Sequence, residues 1–143
     1  MATVRTAAAH WEGSLMEGAG TVELTSTHLA KFDVTWAART EAPADKTSPE
    51  ELIAAAHSTC FSMALSHALA QGGTPPTSID TTAEVTFQPG QGITGIALST
   101  RGVVPGLTAE QFQEAAEGAK ANCPVSKALA ATPITLTAEF ADE

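Results

Sequence analysis

The stretch that decides the fold is Ser48–Leu69, SPEELIAAAHSTCFSMALSHAL, which has the pattern of a long helix with a cysteine near its middle. Ser48 is a preferred N-cap residue, Pro49 suits the first helical position, and Glu51 follows the cap by three residues, as in a capping box. No Asp, Glu, Lys or Arg follows Glu51 in the stretch, so nearly every face of the helix is apolar or small. We therefore predict a central helix at residues 48–71 that other parts of the structure must cover.

The small residues of this helix predict contact with a second copy of the chain. A chain of 143 residues in which only 5% are aromatic has few large side chains to cover such a helix. The triplet Ala54-Ala55-Ala56 would let two copies of the helix approach closely. Glu50 and Cys60 are ten residues apart, about 15 Å along one helix, and cannot touch within it. If two copies cross antiparallel near Ala55, Glu50 of one copy lies beside Cys60 of the other.

The bulk composition predicts one cytoplasmic domain. At 143 residues the chain is long enough to bury about two thirds of its unfolded surface without disulfides or a structural metal. Its net charge of -9 argues against nucleic acid and anionic membranes as partners, because both require a basic surface. The N-terminal segment lacks the apolar core of a signal peptide, and the longest uncharged run carries several Ser, Thr and His side chains, so we expect neither secretion nor a membrane span.

Alternating patterns and turn residues predict further strands and helices on both sides of the central helix. KFDVTW at 31–36 should be the third strand, and Pro124 should interrupt a helix at Cys123. The predicted order is β-β-β-α-β-β-α-α-β, an α+β chain. Its parts within one domain at 1–143 are an N-terminal β-meander at 1–46, the central helix at 48–71, a β-hairpin at 77–104, helices at 108–131 and a last strand at 133–141.

Cys60 needs a cation from outside its helix if it is to react. Cysteine reacts as its thiolate, and apolar surroundings raise the thiol pKa. The central helix supplies no cation, and the chain has only three arginines, Arg5, Arg39 and Arg101. Arg39 comes just after the predicted third strand and before the helix, where Glu50 could hold its guanidinium by a bidentate ion pair. Arg39 is therefore the candidate activator of Cys60, with Glu50 as its partner.

Cys123 lies in a different local environment. If Pro124 opens a short helix, Cys123 occupies its cap, where backbone N–H groups favour a thiolate. Such a thiolate could attack an oxidised Cys60. In a reducing cytoplasm, two cysteines indicate chemistry, metal binding or packing more often than a permanent disulfide.

Each of these residues is also compatible with a plainer role. Free cysteines are often simply buried, so Cys60 could be a packing residue, and Cys123 could serve only to end a helix before proline. His57 and Cys60 are spaced i and i+3, which permits a metal site completed by His67 or another histidine, although the chain has no CxxC pair and no HExxH motif. Glu50 would favour a helix N-terminus whatever the function.

Two segments together resemble the OsmC branch of the OsmC/Ohr family of thiol-dependent hydroperoxide reductases. They are SPEELIAAAHSTCFSMAL at 48–65 and ANCPVSKAL at 121–129, and shorter matches (AHWEG, GTV, SIDTTAEV, VPGL) extend the likeness over most of the chain. The resemblance implies an OsmC-like α+β fold in which two chains form an intertwined homodimer, with long central helices packed between antiparallel sheets. It also implies two active sites at the subunit interface.

The same resemblance implies a peroxidase mechanism. Cys60 would be the peroxidatic cysteine and Cys123 the resolving one, with Arg39 stabilising the thiolate and Glu50 orienting Arg39. The peroxide would oxidise Cys60 to a sulfenic acid, and Cys123 would condense with it to a disulfide. An external dithiol, in relatives a lipoyl-bearing protein, would then restore both thiols. This mechanism requires no cofactor and no metal.

The residues near Cys60 predict a substrate class. Phe61, Met63 and Trp36 would form an apolar pocket for an alkyl chain, which favours organic hydroperoxides, with hydrogen peroxide as a further substrate. Two other functions fit the same cysteines: a redox-sensing or binding protein that does not turn over repeatedly, and a structural dimer whose cysteines are inert.

Overall fold

A computed structural model describes all of residues 1–143. In chain order its elements are β1 (Ala8–Glu12), β2 (Ala19–Glu23), β3 (Lys31–Val34), α1 (Trp36–Thr40), α2 (Pro49–Gln71), β4 (Ser78–Gln88), β5 (Gly92–Val103), α3 (Ala109–Asn122), α4 (Pro124–Ala128) and β6 (Ile134–Ala141). This order confirms the predicted α+β class and adds one short helix, α1, between the third strand and the long helix.

The chain divides into two units, Met1–Leu52 and Ile53–Glu143, each with its own three-stranded sheet. In the first unit β1, β2 and β3 pair antiparallel in that order, with Trp11 opposite Gly20. This is the meander that the alternating residues predict. The prediction of a single domain stays a prediction.

Helix α1 corrects the predicted third strand. The alternation of KFDVTW predicts a strand that continues through Trp36, but β3 ends at Val34 and a helix begins at Trp36. Thr35 explains the difference, because its backbone is extended and its Oγ1 accepts a hydrogen bond from the Ala38 N–H at 3.1 Å, which caps the helix. Arg39 therefore lies in the last turn of α1 and does not follow a strand directly.

Helix α2 confirms the prediction of a long central helix that begins at a serine cap. It spans Pro49–Gln71, and the Ser48 Oγ accepts a hydrogen bond from the Glu51 N–H at 3.1 Å. Gly73, with a φ of 91°, follows its last turn in a conformation that favours glycine. The local capping chemistry is thus sufficient to define where this helix starts and ends.

The faces of α2 differ in exposure. Phe61, Leu65 and Leu69 are buried in the core of the second unit, whereas Ala56 and Met63 are exposed. By length and composition α2 could cross a membrane, since its most apolar window has a mean hydropathy of 1.3, and only 22% of that window is buried. The uncovered face is where the sequence predicts contact with a second copy, and that contact stays a prediction.

The sheet of the second unit is mixed. β4 and β5 form the predicted hairpin and pair antiparallel, but β6 lies on the other side of β5 and runs parallel to it, with Ile134 opposite Ile96. The family resemblance implies antiparallel sheets, so this strand is a departure from the expected pattern. The chain crosses over from β5 to β6 through α3 and α4, and parallel pairing requires such a long connection.

Helix α3 completes the core and brings the chain to Cys123. Thr108 and Gln111 form the predicted capping box, with Thr108 Oγ1 accepting from the Gln111 N–H at 3.2 Å and Gln111 Oε1 accepting from the Thr108 N–H at 3.0 Å. Phe112 is buried and its ring centroid lies 5.7 Å from that of Phe140 on β6. Cys123 ends α3 immediately before α4, as the Cys-Pro pair predicts.

The close approach of β5 and α3 gives a stability prediction. A Cβ added at Gly102 would overlap ring carbons of Phe112, whereas a Cβ at Gly95 of the same strand would meet no atom nearer than the Pro133 carbonyl oxygen at 3.9 Å. Gly102→Ala should lower the free energy of unfolding by about 1–3 kcal/mol through overpacking. Gly95→Ala should change it by less than about 0.5 kcal/mol. Urea unfolding of both variants measures the difference, and equal losses would contradict this packing.

Candidate functional site

Arg39 and Glu50 form an ion pair in the first unit. Arg39 Nε donates to Glu50 Oε1 at 3.0 Å, and Arg39 Nη2 donates to Glu50 Oε2 at 2.9 Å, so the contact is bidentate. The Glu50 side chain is only 8% exposed, and the guanidinium carbon lies 5.9 Å from the centroid of the Trp36 ring. The hydrogen bond to Glu50 is the main cause that raises the pKa of Arg39. Glu50 therefore holds the charged guanidinium of Arg39 in a fixed orientation, while the predicted role of Arg39 toward Cys60 stays a prediction.

Cys60 and Cys123 lie together in the second unit, and both are free thiols. Cys60 projects from α2, and its thiol lies close enough to that of Cys123 for each to shift the pKa of the other. Cys123 is held at the junction of two helices, because its N–H donates to the Ala119 carbonyl at 2.8 Å and its carbonyl accepts from the Lys127 N–H at 3.0 Å. Cys60 is partly exposed, whereas Cys123 has no exposed surface. A reagent from solvent therefore has access to the first thiol and not to the second.

The two thiols have opposite pKa shifts. Burial is the largest cause that raises the pKa of Cys60, and the hydrogen bond that its thiol donates to Cys123 raises it further. Burial acts in the same direction on Cys123, but hydrogen bonds from Cys60, Ser126 and the Val125 N–H together lower the pKa of Cys123 below its usual value. Within one chain, Cys123 is the better thiolate and Cys60 is the more accessible thiol.

The predicted alkyl pocket is wrong in one respect. Phe61 is fully buried in the core and does not face the solvent from which a substrate would enter. Met63 is 70% exposed and lines an open groove of about 540 Å³ with Ser62, His67 and neighbouring residues. Of the three predicted apolar residues, Met63 alone is both near Cys60 in sequence and largely open to solvent.

Sequence reasoning missed Ser126 and considered His57 only as a ligand of a possible metal site, but the two residues contact each other beside the thiol pair. Both are buried, and His57 Nε2 lies 2.7 Å from Ser126 Oγ. The available signal is one of spacing, because His57 precedes Cys60 by three residues and Ser126 follows Cys123 by three, so each lies one helical turn from a cysteine. The alternative of a metal site gains no support, since no three His, Cys, Asp or Glu side chains of the chain are grouped so that they could hold a metal ion.

Known proteins of similar sequence include two OsmC proteins. A family profile described as OsmC-like protein matches residues 42–139. The chain is 48% identical over 126 residues to Peroxiredoxin OsmC of Escherichia coli (strain K12), a match that covers 86% of this chain and 87% of that protein. Peroxiredoxin OsmC of Shigella flexneri matches with the same identity and coverage.

Solved structures of similar fold include an organic hydroperoxide resistance protein OsmC from Legionella pneumophila. It has a TM-score of 0.74 and 25% identity, and the match covers 96% of this chain and 99% of that one. An organic hydroperoxide resistance protein from Elizabethkingia anophelis has a TM-score of 0.73 and 27% identity, with coverage of 99% and 100%.

The fold, the thiol pair and these relationships together define the class of the protein: it is a peroxidase, a protein that detoxifies peroxides. The chain belongs to the OsmC-like family. Family membership confirms the resemblance that the segments at 48–65 and 121–129 indicate.

Proposed function

We propose that this chain is a thiol-dependent peroxidase that reduces organic hydroperoxides to alcohols, and hydrogen peroxide to water, through Cys60 and Cys123. The observation that carries the proposal is the thiol pair, in which a partly exposed Cys60 lies beside a buried Cys123. A peroxide can reach Cys60, whereas protein shields Cys123. This difference supports Cys60 as the peroxidatic cysteine and Cys123 as the resolving cysteine.

The reaction has two oxidative steps. The Cys60 thiolate attacks the terminal peroxide oxygen, an S–O bond forms as the O–O bond breaks, and the alkoxide leaves and takes a proton to become the alcohol. The Cys123 thiolate then attacks the sulfur of the Cys60 sulfenic acid, which forms the S–S bond and expels hydroxide as water after protonation. An external dithiol exchanges with the disulfide and is itself oxidised, which returns both cysteines to thiols.

The cation that activates Cys60 is, in this proposal, Arg39 of a second copy. Glu50, which holds Arg39, is ten residues from Cys60 on α2, about 15 Å along the helix. An antiparallel crossing of two α2 helices near the exposed Ala55 would align Glu50 of one copy with Cys60 of the other. The active form is then a homodimer with two sites. Arg39 would lower the raised pKa of Cys60 by favouring the thiolate.

Three further parts of the proposal concern substrate, reductant and location. The exposed Met63, one turn from Cys60, offers an apolar contact for an alkyl chain, and the structural relatives from Legionella pneumophila and Elizabethkingia anophelis are named organic hydroperoxide resistance proteins. The reductant is an external dithiol, such as a lipoyl-bearing protein. Two free cysteines in an acidic chain are consistent with a cytoplasmic location.

Repeated turnover tests the proposal. With excess cumene hydroperoxide and a small dithiol, the wild-type protein should consume many equivalents, and consume hydrogen peroxide less efficiently. With no thiol reductant present, Cys123→Ser should consume about one equivalent and form a Cys60 sulfenic acid, which dimedone traps as an adduct detected by intact mass. A redox sensor would instead stop after about one equivalent in the wild-type protein as well, which would overturn the proposed activity.

A further inference from the structure

His57 is a buried side chain that the proposed reaction does not use. It has no exposed surface, its Nε2 lies 2.7 Å from the hydroxyl oxygen of Ser126, and its Nδ1 has no hydrogen-bond partner. A buried polar atom without a partner is costly, so such a side chain in a helix calls for an explanation. The ring makes its polar contact with Ser126, which lies one helical turn from Cys123.

Ser126 connects His57 to the resolving cysteine. The Ser126 side chain is 4% exposed and belongs to α4, one turn after Cys123. Its hydroxyl and its backbone N–H lie close enough to the Cys123 sulfur to lower the pKa of that thiol. The result is a buried chain of contacts that runs from His57 through Ser126 to Cys123 and then to the Cys60 thiol.

In this chain of contacts, the protonation state of His57 determines which group donates each hydrogen bond. A serine hydroxyl has one proton, which it can donate to His57 or to Cys123 but not to both. Burial lowers the pKa of His57, so the ring is neutral and carries a single proton. With that proton on Nε2, His57 donates to Ser126 and the unpaired Nδ1 is an acceptor, which is a less costly arrangement than an unpaired buried N–H. Ser126 then has only the Cys123 sulfur to donate to.

We propose that His57 is a positioning residue for the resolving cysteine, since its Nε2–H fixes the Ser126 hydroxyl so that the hydroxyl donates to the Cys123 sulfur. The inference rests on the proposed function, because it assigns His57 to the step in which Cys123 closes the disulfide. The donated hydrogen bond stabilises the Cys123 thiolate, and the thiolate is the form that attacks the sulfenic acid.

The same arrangement acts when the disulfide is reduced. Cys60 is the accessible sulfur and Cys123 is buried, so the thiolate of an external dithiol attacks Cys60, forms a mixed disulfide with it and releases Cys123 as a thiolate. The second thiolate of the dithiol then displaces Cys60, which also leaves as a thiolate. A leaving thiol of lower pKa departs faster, so Ser126 and His57 assist this step as well.

Single-turnover kinetics test the proposal. The reduced protein is mixed with one equivalent of cumene hydroperoxide and quenched in acid at intervals, and two quantities are followed: hydroperoxide lost, and Cys60 sulfenic acid converted to disulfide by intact mass. His57→Leu should leave the first rate within about twofold and slow disulfide closure about tenfold, the loss expected for one hydrogen bond to a charged sulfur. Ser126→Ala should have the same effect, and the double variant should be no slower than Ser126→Ala alone.

A matched control separates the hydrogen bond from packing. His57→Gln keeps an N–H group near the position of Nε2 and should restore disulfide closure to within about threefold of the wild-type rate. Equal slowing in His57→Leu and His57→Gln, or equal slowing of both steps, would show a structural role and overturn the inference. If His57→Leu does not fold, His57→Asn replaces it, because its amide is too short to reach Ser126 while that of His57→Gln is not.

The outcomes distinguish this inference from the proposed function. If the wild-type protein forms neither a Cys60 sulfenic acid nor a disulfide, the proposed function fails and the inference fails with it. If the wild-type protein completes both steps and His57→Leu closes the disulfide at the wild-type rate, the inference alone is overturned.

Discussion

Cys60→Ser should abolish hydroperoxide consumption, with kcat/KM reduced by at least about 1,000-fold, because a serine hydroxyl is a weak nucleophile without an adjacent base and cannot form a sulfenic acid. The substitution replaces sulfur by oxygen in a partly exposed side chain, so the core of the second unit should be retained. Loss of cumene hydroperoxide in the presence of a small dithiol measures the rate, and circular dichroism establishes that the variant is folded.

Cys123→Ser is the matched control, because it makes the same atomic change in the neighbouring thiol. The pKa directions alone would favour Cys123 as the nucleophile, since its pKa is lowered and that of Cys60 is raised. Exposure argues the opposite, since Cys123 has no accessible surface. If Cys123→Ser removed the first equivalent of consumption while Cys60→Ser retained it, the roles of the two cysteines would have to be exchanged.

The sequence predicts those parts of the fold that depend on short-range chemistry. Ser48, Thr108 and Pro124 each mark a helix start by a local rule, and each rule holds in the structure. α1 was missed because the alternation of KFDVTW continues past Val34, and one side-chain hydrogen bond from Thr35 is enough to convert the end of that pattern into a helical turn. The parallel register of β6 was not predictable, since no local pattern specifies the partner of a strand.

The candidate site also contains one contact that the sequence predicts and one that it does not. The pairing of Arg39 with Glu50 could be predicted because a chain with three arginines offers few cations near the helix, and the structure shows that pair. The contact between His57 and Ser126 joins residues that are 69 positions apart, and nothing in either segment alone indicates it. The alkyl pocket was wrong at Phe61 because an apolar residue beside a cysteine is equally suited to the core, where its burial is more favourable.

In the proposed dimer, each active site takes its two cysteines from one chain and its arginine from the other. The thiols contact each other within one chain, so the peroxidatic and resolving cysteines of a site come from the same copy. Arg39 and Glu50 also pair within one chain, but the proposal assigns them to Cys60 of the other copy. Two inactive variants can test which chain supplies each catalytic residue. If the residues of one site come from both chains, a mixed dimer of the two variants contains one intact site and recovers activity.

Co-expression of Cys60→Ser with Arg39→Met should therefore restore activity, although each variant alone is nearly inactive, Arg39→Met by about 100-fold because its Cys60 thiolate lacks the cation. In a mixed dimer one site has both defects and the other has neither, so the isolated mixed dimer should have about half of the wild-type specific activity and the unfractionated random mixture about one quarter. Two affinity tags isolate the mixed dimer, and hydroperoxide turnover measures it. Cys60→Ser with Cys123→Ser is the control and should restore no turnover beyond that of Cys123→Ser alone, because both defects concern one chain's thiol pair. Recovery in neither mixture would show that Arg39 acts on its own chain or that no such dimer forms.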